Sequence, residues 1–379
     1  MTAETALSNA RIVLANEIVE GSLVLRDGFI ADIDAGGSRS GEDMGGDYVI
    51  PGLVELHTDH LEGHYAPRPK VRWNPIAAVL AHDAQVATAG ITTVLDALRV
   101  GMDEDADLTL ADIRKLADAI EDSVAQDRLR ADHFLHLRCE VSAPDCLQAF
   151  ADFDRDDRVK LASLMDHAPG QRQFVNLETY AYYYQRKLKL TDRDFKLFCE
   201  KRMAESACYS APNRAVIAAA CRERGIVLAS HDDATSGHVD EAIEQGVRVA
   251  EFPTTEEAAR ASKAAGLGVL MGAPNVMRGA SHSGNVSARA LAGDGLLDIL
   301  SSDYIPFSLI QSAFFLGDMV EGISLPQAVA MVSKNPAEAV GLTDRGVIEQ
   351  GRRADLVRVR VDDHVPVVRT VWRQGRRVA

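Results

Sequence analysis

Eight short apolar runs, each ending in or just before polar residues, recur through the middle of this 379-residue chain: VIPGLVELH, GITTVLDAL, HFLHLRCE, KLASLMDH, GIVLASH, GVRVAEF, LGVLMG and LDILSSD. Helix-like stretches separate them, among them PIAAVLAHDAQVATA and NRAVIAAACRERG, the second ending at Gly225, a residue suited to helix termination. Strand–helix alternation repeated eight times predicts a parallel (β/α)8 barrel, an α/β fold of the TIM type.

The two ends read differently. RIVLAN, GSLVLRD and FIADID are short runs rich in Val and Ile, with Asp27-Gly28 as a hairpin signal, and the last forty or so residues return to the same pattern in GVIEQGRRADLVRVRV and PVVRTVWRQGRRV. Neither end holds enough strands for a core of its own. Residues 1–50 and 343–379 are therefore expected to pair into one small β-sandwich domain, with the barrel over 51–342 inserted between them. The polar, aromatic stretch ETYAYYYQRKLKLTD is longer than an ordinary connection and is expected to cover the barrel mouth as a lid.

Composition narrows the partners. A formal charge of −15 argues against nucleic acid and anionic membranes, which need a basic face. No run is long and apolar enough for a membrane span. The start MTAETALSNARIVLANE lacks the pattern of a signal peptide. The five cysteines are odd in number and form no CxxC pair, which suits a reducing cytoplasm and makes thiolate-held zinc improbable. The expected assembly is a homo-oligomer, a dimer.

Barrel chemistry gathers where strands end. The first run ends in His57-Thr58-Asp59, the third in Arg138-Cys139-Glu140 and the fourth in Asp166-His167. The fifth ends in His231-Asp232-Asp233, the sixth in Glu251 and the eighth in Asp303. His57 and Asp59 are two apart, so in a strand both project to one side and can grip one ion. Nitrogen and oxygen donors without sulfur suit zinc, manganese, iron or nickel, one ion or two. A glutamate from another strand can bridge two ions, and an aspartate on the last strand can take the proton of an activated water, making a hydrolase. Asp232 and Asp233 are also read as caps of the following helix, and His133 and His136, inside a strand, as structural.

At this point the motifs resemble the amidohydrolase superfamily. The carrying residues are PGLVELHTD at the barrel entrance, GITTVLD after the first helix, and NPAEAVGL with GVIEQGRRADLVRV near the end. Longer strings, ELHTDHLEGHYAPRP, SLMDHAPGQRQF, SHDDAT, AEFPTT and GAPNVMRGASHSGNVSA, are similar to a branch of that superfamily that removes pyrophosphate from a ribosyl phosphonate 5-triphosphate in phosphonate breakdown. The resemblance implies a divalent metal on His57 and Asp59, with Glu140 bridging, His167 and His231 as further ligands, and Asp303 binding or activating the water; His231 and Asp303 are the expected catalytic residues. The chain departs from the wider superfamily in three places. Asp59 replaces the second histidine of the usual HxH, no lysine stands at the bridging position, and the sixth strand reads VAEFPTT without a histidine, a role His167 is expected to assume.

An anionic substrate needs cationic and hydrogen-bonding groups near the strand ends. Arg68 follows the opening cluster with Lys70 and Arg72, Arg138 precedes Glu140, and Arg172 lies five residues past His167. The loop APNVMRGASHSGN offers Arg278, His282 and Asn285 among glycines that let backbone N–H groups approach phosphate. His60 and His64, four apart on a short helix, are expected to face the substrate phosphate or to support the ligands. No GxxxxGK[ST] occurs, which excludes a P-loop nucleotide binder. The competing enzyme reading, hydrolysis of a cyclic amide or heterocycle, needs the same metal but not the arginines, and a barrel serving only in assembly would have lost ligands.

Overall fold

Residues Leu53–Thr58 (β6), Ile91–Val100 (β7), Asp132–Glu140 (β8), Val159–Met165 (β9), Val227–His231 (β10), Val249–Glu251 (β11), Gly268–Gly272 (β12) and Ile299–Ser301 (β13) form one parallel sheet, in sequence order, in the computed structural model of this chain. The structure describes residues 4–36, 40–102, 108–172, 180–181, 184–185, 188–281 and 284–379. Each strand coincides with one of the eight apolar runs. A parallel bridge between Thr58 and Asp303 joins the last strand back to the first, and Asp303 N–H donates to the His57 carbonyl at 3.2 Å.

Alternation along the strands decides what lies inside. Val54, Leu56, Leu95, Leu161, Ala229, Val249, Leu270 and Ile299 pack together within the barrel. Their neighbours one residue away, such as Val94, Ala162, Leu228 and Leu300, face outward and pack against helices. Each fully buried Val, Leu or Ile side chain among them contributes about 1.5–3 kcal/mol of transfer free energy. On β7, β8, β10 and β11 the inward series continues to a polar residue at or near the C-terminal end, Arg99, Glu140, His231 and Glu251.

The helices start and stop where their caps allow. Asn74 accepts the Ala77 N–H ahead of Pro75 in helix Pro75–Thr88. Thr109 and Asp112 form a reciprocal capping box at the start of Leu110–Ala125. Gly225 closes its helix in the left-handed conformation, φ 68°, as expected, but that helix begins far earlier, spanning Asp192–Arg224 with Pro212 inside it. Of the lid stretch, residues 178–179, 182–183 and 186–187 lie outside the described residues. Its described Tyr180 and Tyr184 pack on Phe198 of this long helix.

Both chain ends meet in a second sheet. Its strands are Glu4–Val13 (β1), Ile18–Arg26 (β2), Phe29–Asp34 (β3), Glu42–Asp43 (β4), Tyr48–Pro51 (β5), Leu356–Asp362 (β14), Val365–Arg373 (β15) and Arg376–Arg377 (β16). The order β16-β15-β14-β5-β1-β2-β3 sets C-terminal β14 against β5, with β4 alongside β1. One face buries Leu7, Ile12, Leu23, Ile30, Leu356 and Trp372 in a core of its own, while Ile50, Val357, Val359 and Val371 join the barrel's outer core. This is the small β-sandwich expected from the ends.

One charged group sits in the barrel wall. Asp96 follows inward-facing Leu95 on β7 and so points outward, where His82 Nε2 donates to it at 2.7 Å and His133 Nδ1 at 2.8 Å. His133 Nε2 reaches Asp83 at 3.4 Å, and Asp83 also receives the N–H groups of Arg130 and Ala131. His133, expected to be structural, has this role in the wall.

Candidate metal and substrate site at the barrel mouth

Three residues at the strand ends that are not glycine have left-handed backbones: Asp232 (φ 58°), Phe252 (φ 53°) and Asp303 (φ 53°). Such backbones cost free energy and persist where surrounding bonds over-determine them. Asp232 N–H bonds the Glu251 carbonyl, Phe252 N–H the Leu270 carbonyl, and Asp303 N–H the Ser301 hydroxyl. Each turn thus aims a side chain that a continuing strand would send elsewhere.

Below them Glu55 clamps the first strand to the last. It is fully buried, and its two oxygens accept the His57 N–H at 2.7 Å and the Ser302 N–H at 2.6 Å. Burial pushes its carboxyl up to about 7 despite these bonds. Coordination is thereby ruled out by its partners, in line with the interior position of this side chain.

Two histidines are oriented by carboxylates. His57 Nδ1 lies 3.1 Å from Glu251 Oε1, leaving Nε2 facing Asp59 Oδ1 at 3.7 Å. Burial opposes ionisation of Glu251, but His136 and His57 outweigh it and hold the carboxyl down to about 2. His167 Nδ1 lies 2.6 Å from Glu140 Oε2, while Glu140 Oε1 accepts the Ser142 hydroxyl and the His167 N–H. Burial again opposes ionisation, and His167, Arg99 and Arg202 hold the Glu140 carboxyl well below its ordinary value. A carboxylate on one ring nitrogen fixes the tautomer that offers the other to a metal. Glu140, expected as a bridging ligand, thus has both oxygens engaged in positioning His167.

His231 and Asp232 test whether an ion fits. His231 Nδ1 and Asp232 Oδ2 are buried, lie 2.9 Å apart, and neither makes a hydrogen bond; His167 Nε2 is 3.8 Å from the same oxygen. Converging polar atoms in this state are what a shared cation resolves, and a purely nitrogen–oxygen donor set suits a divalent ion. The rings of His57 and His167 lie 5.9 and 5.6 Å from that of His231, so the two groups adjoin. Asp232 corrects the cap reading: the helix Ser236–Gln245 is capped by Thr235, not by either aspartate. His136 is close by but bonds the Leu56 carbonyl and the Ser163 hydroxyl, so it holds the wall as expected. The His82–Asp96–His133 group also has ligand-type atoms, but these are already joined at hydrogen-bond distance.

The expected substrate-facing residues divide. His60 reaches the Tyr304 carbonyl just beyond Asp303, and Arg138 Nη1 bonds Asp59 Oδ1 at 2.6 Å, both at the mouth. His64 does not face the mouth: its Nε2 bonds Gln85 on helix Pro75–Thr88. Arg172 is buried and already compensated by Asp233 and by Glu241, the latter at 2.7 Å. Arg68 and Arg278 are exposed, Asn285 is half-buried, and His282 lies outside the described residues. Arg99 enters the site without having been expected there, whereas Asp232 and Glu251, expected as strand-end groups, were not expected as ligand or orienting residues. The available signal was strand alternation, which runs Leu95, Ala97, Arg99 on β7 and Val249, Glu251 on β11.

Glu251→Gln is expected to weaken metal binding by about 10- to 100-fold, since His57 loses the partner that fixes its ring. A chelator-competition titration measures this, and unchanged affinity would overturn the orienting role.

A parallel barrel with histidines and carboxylates converging at its mouth defines a metal-dependent hydrolase. The sequence model of the amidohydrolase family matches residues 147–379, and the chain belongs to that family. It is 50% identical over 376 residues to the α-D-ribose 1-methylphosphonate 5-triphosphate diphosphatase of Escherichia coli (strain K12), covering 98% of this chain and 99% of that one. It is also 25% identical over 393 residues to an imidazolonepropionase of Deinococcus deserti, covering 95% and 92%. Among solved structures, an N-acetylglucosamine-6-phosphate deacetylase from Pasteurella multocida superposes with a TM-score of 0.61 at 15% identity, over 98% of this chain and 99% of that one. A dihydropyrimidinase from Brevibacillus agri gives 0.64 at 13% identity, over 99% and 95%. These two share the fold. Among the described residues no helix is long and apolar enough to cross a membrane.

Proposed function

We propose that this chain hydrolyses α-D-ribose 1-methylphosphonate 5-triphosphate to the 5-phosphate and pyrophosphate, using one or two divalent ions. The observation that carries this reading is 50% identity across nearly the whole length of the enzyme named for that substrate. It is supported by the mouth, which offers cationic groups that hydrolysis of a neutral cyclic amide does not require.

We assign His57, Asp59, His167 and His231 as the holding residues, with Asp232 added and Glu140 and Glu251 orienting two of the rings. Zinc suits this donor set best, with manganese, iron or nickel as alternatives. A bound divalent ion supplies Lewis acidity and a water of lowered pKa. The chain's own residues supply the rest. Asp303, next to the His57–Asp59 strand end, accepts the proton of the attacking water. Arg138 offers a guanidinium to charge developing on the phosphate chain. Five free cysteines support a reducing cytoplasm, and the dimer expected from the sequence belongs to the same reading.

Purified protein with added zinc or manganese is incubated with the ribosyl phosphonate triphosphate, with nucleoside triphosphates and with a hydantoin, followed by phosphorus NMR and by amide-opening absorbance. Pyrophosphate release from the ribosyl triphosphate is expected. Hydantoin opening without pyrophosphate release would replace this reading with the cyclic-amide one.

A further inference from the structure

Strands β7 and β8 pair in a parallel register that sets Arg99 directly beside Arg138. Both continue the inward-facing series of their strands, one from Leu95 and the other from Phe134 and His136, so both guanidiniums emerge at the same level of the mouth. Their side chains are mostly covered, 21% and 18% exposed. Two like charges on neighbouring strands repel and need compensation.

That compensation comes from acids with a second duty. Arg138 bonds Asp59 at 2.6 Å, and Arg99 lies 3.8 Å from Glu140. Asp59 is assigned to the metal, and Glu140 already serves His167. A divalent ion at Asp59 competes for the oxygen that now holds Arg138. Glu62 faces both arginines and Asp303 faces Arg138, and Glu62 Oε1 and Arg138 Nε are each buried without a hydrogen bond. The loaded mouth therefore presents two adjacent guanidiniums, in a chain whose overall charge is −15.

We propose that Arg99 and Arg138 form a paired clamp for the phosphate chain of the substrate, and that metal loading releases this clamp from Asp59. The inference rests on the triphosphate reading above and adds Arg99 to it. A planar guanidinium fork grips two phosphate oxygens at once, and two forks side by side match the oxygens of neighbouring phosphates, the pattern of pyrophosphate. The clamp lies beside the metal residues, where the leaving pyrophosphate must be held.

The test titrates inorganic pyrophosphate calorimetrically into wild-type protein, metal-loaded and metal-free, and into loaded Arg99→Met and Arg99→Lys. Metal loading is expected to strengthen pyrophosphate binding. Arg99→Met should weaken it at least tenfold at unchanged metal content, with KM for the triphosphate rising in parallel, and Arg99→Lys, which keeps charge but loses the fork, should fall between. If wild type releases pyrophosphate from the triphosphate while both folded variants bind pyrophosphate as wild type does, the clamp is wrong and the function stands. Equal pyrophosphate affinity with and without metal overturns the release from Asp59. If loaded wild type neither hydrolyses the triphosphate nor binds pyrophosphate, the functional reading falls and the clamp with it.

Discussion

Asp303→Asn is expected to lower kcat for triphosphate hydrolysis by roughly 100- to 10,000-fold, the loss that follows removal of a positioned general base. The residue is well suited to a clean test. Its backbone is left-handed at φ 53°, a conformation asparagine accepts nearly as well as aspartate, so the substitution adds little strain. Its N–H bonds to the Ser301 hydroxyl and the His57 carbonyl do not depend on the carboxylate. Folding and the closure of β13 onto β6 should therefore survive, as thermal unfolding would report. The pH profile separates base from ligand: a lost base removes the acidic limb of kcat/KM at constant metal content, whereas a lost ligand lowers metal content first. Wild-type turnover in a folded, metal-loaded variant would remove Asp303 from the mechanism.

The barrel was legible because its evidence is local. A strand covered on both sides is an apolar run, and each run here ends where its polar group emerges. Gly225 was legible for the same reason, a single residue stating its own backbone requirement. The site was legible as a set of strand ends but not as pairings. Whether Glu140 meets an ion or His167 depends on ring orientation across two strands. Asp232 resembled a helix cap because the true cap, Thr235, stands only three residues on. Arg172 was read from its distance to His167 in sequence, and the carboxylates that compensate it come from Asp233 and Glu241, far along the chain. Arg99 carried the period-two signal of its strand, yet its meaning came only from the register that sets it beside Arg138.

Asp96→Asn is expected to destabilise the protein by about 3–5 kcal/mol near pH 6, the cost of breaking a buried ion pair from one side. Asp96 and His82 are fully buried and His133 nearly so, at 4% exposure. A carboxylate only accepts, so both histidines must donate to Asp96, and His133 also donates to Asp83, which makes it an imidazolium. Burial would lower the pKa of His133, but Asp96 and Asp83 outweigh it and push it up from 6.5 to about 9. A raised imidazole contributes stability that is complete below pH 6.5 and fades as pH climbs through about 9. Burial would likewise raise Asp96, but His133 and His82 hold it well below 3.8, so its contribution is complete above pH 3.8 and fades only in stronger acid. Between pH 3.8 and 6.5 both contributions are present in full. Urea unfolding followed by circular dichroism should thus show wild type losing stability from pH 6 to 9.5, and Asp96→Asn starting lower with a flatter slope. The network also grips helix Pro75–Thr88, whose Gln85 holds His64 on the turn after Asp59, so the variant should loosen metal binding as well as the wall. Identical pH slopes in the two proteins would mean that His133 is not held charged by Asp96.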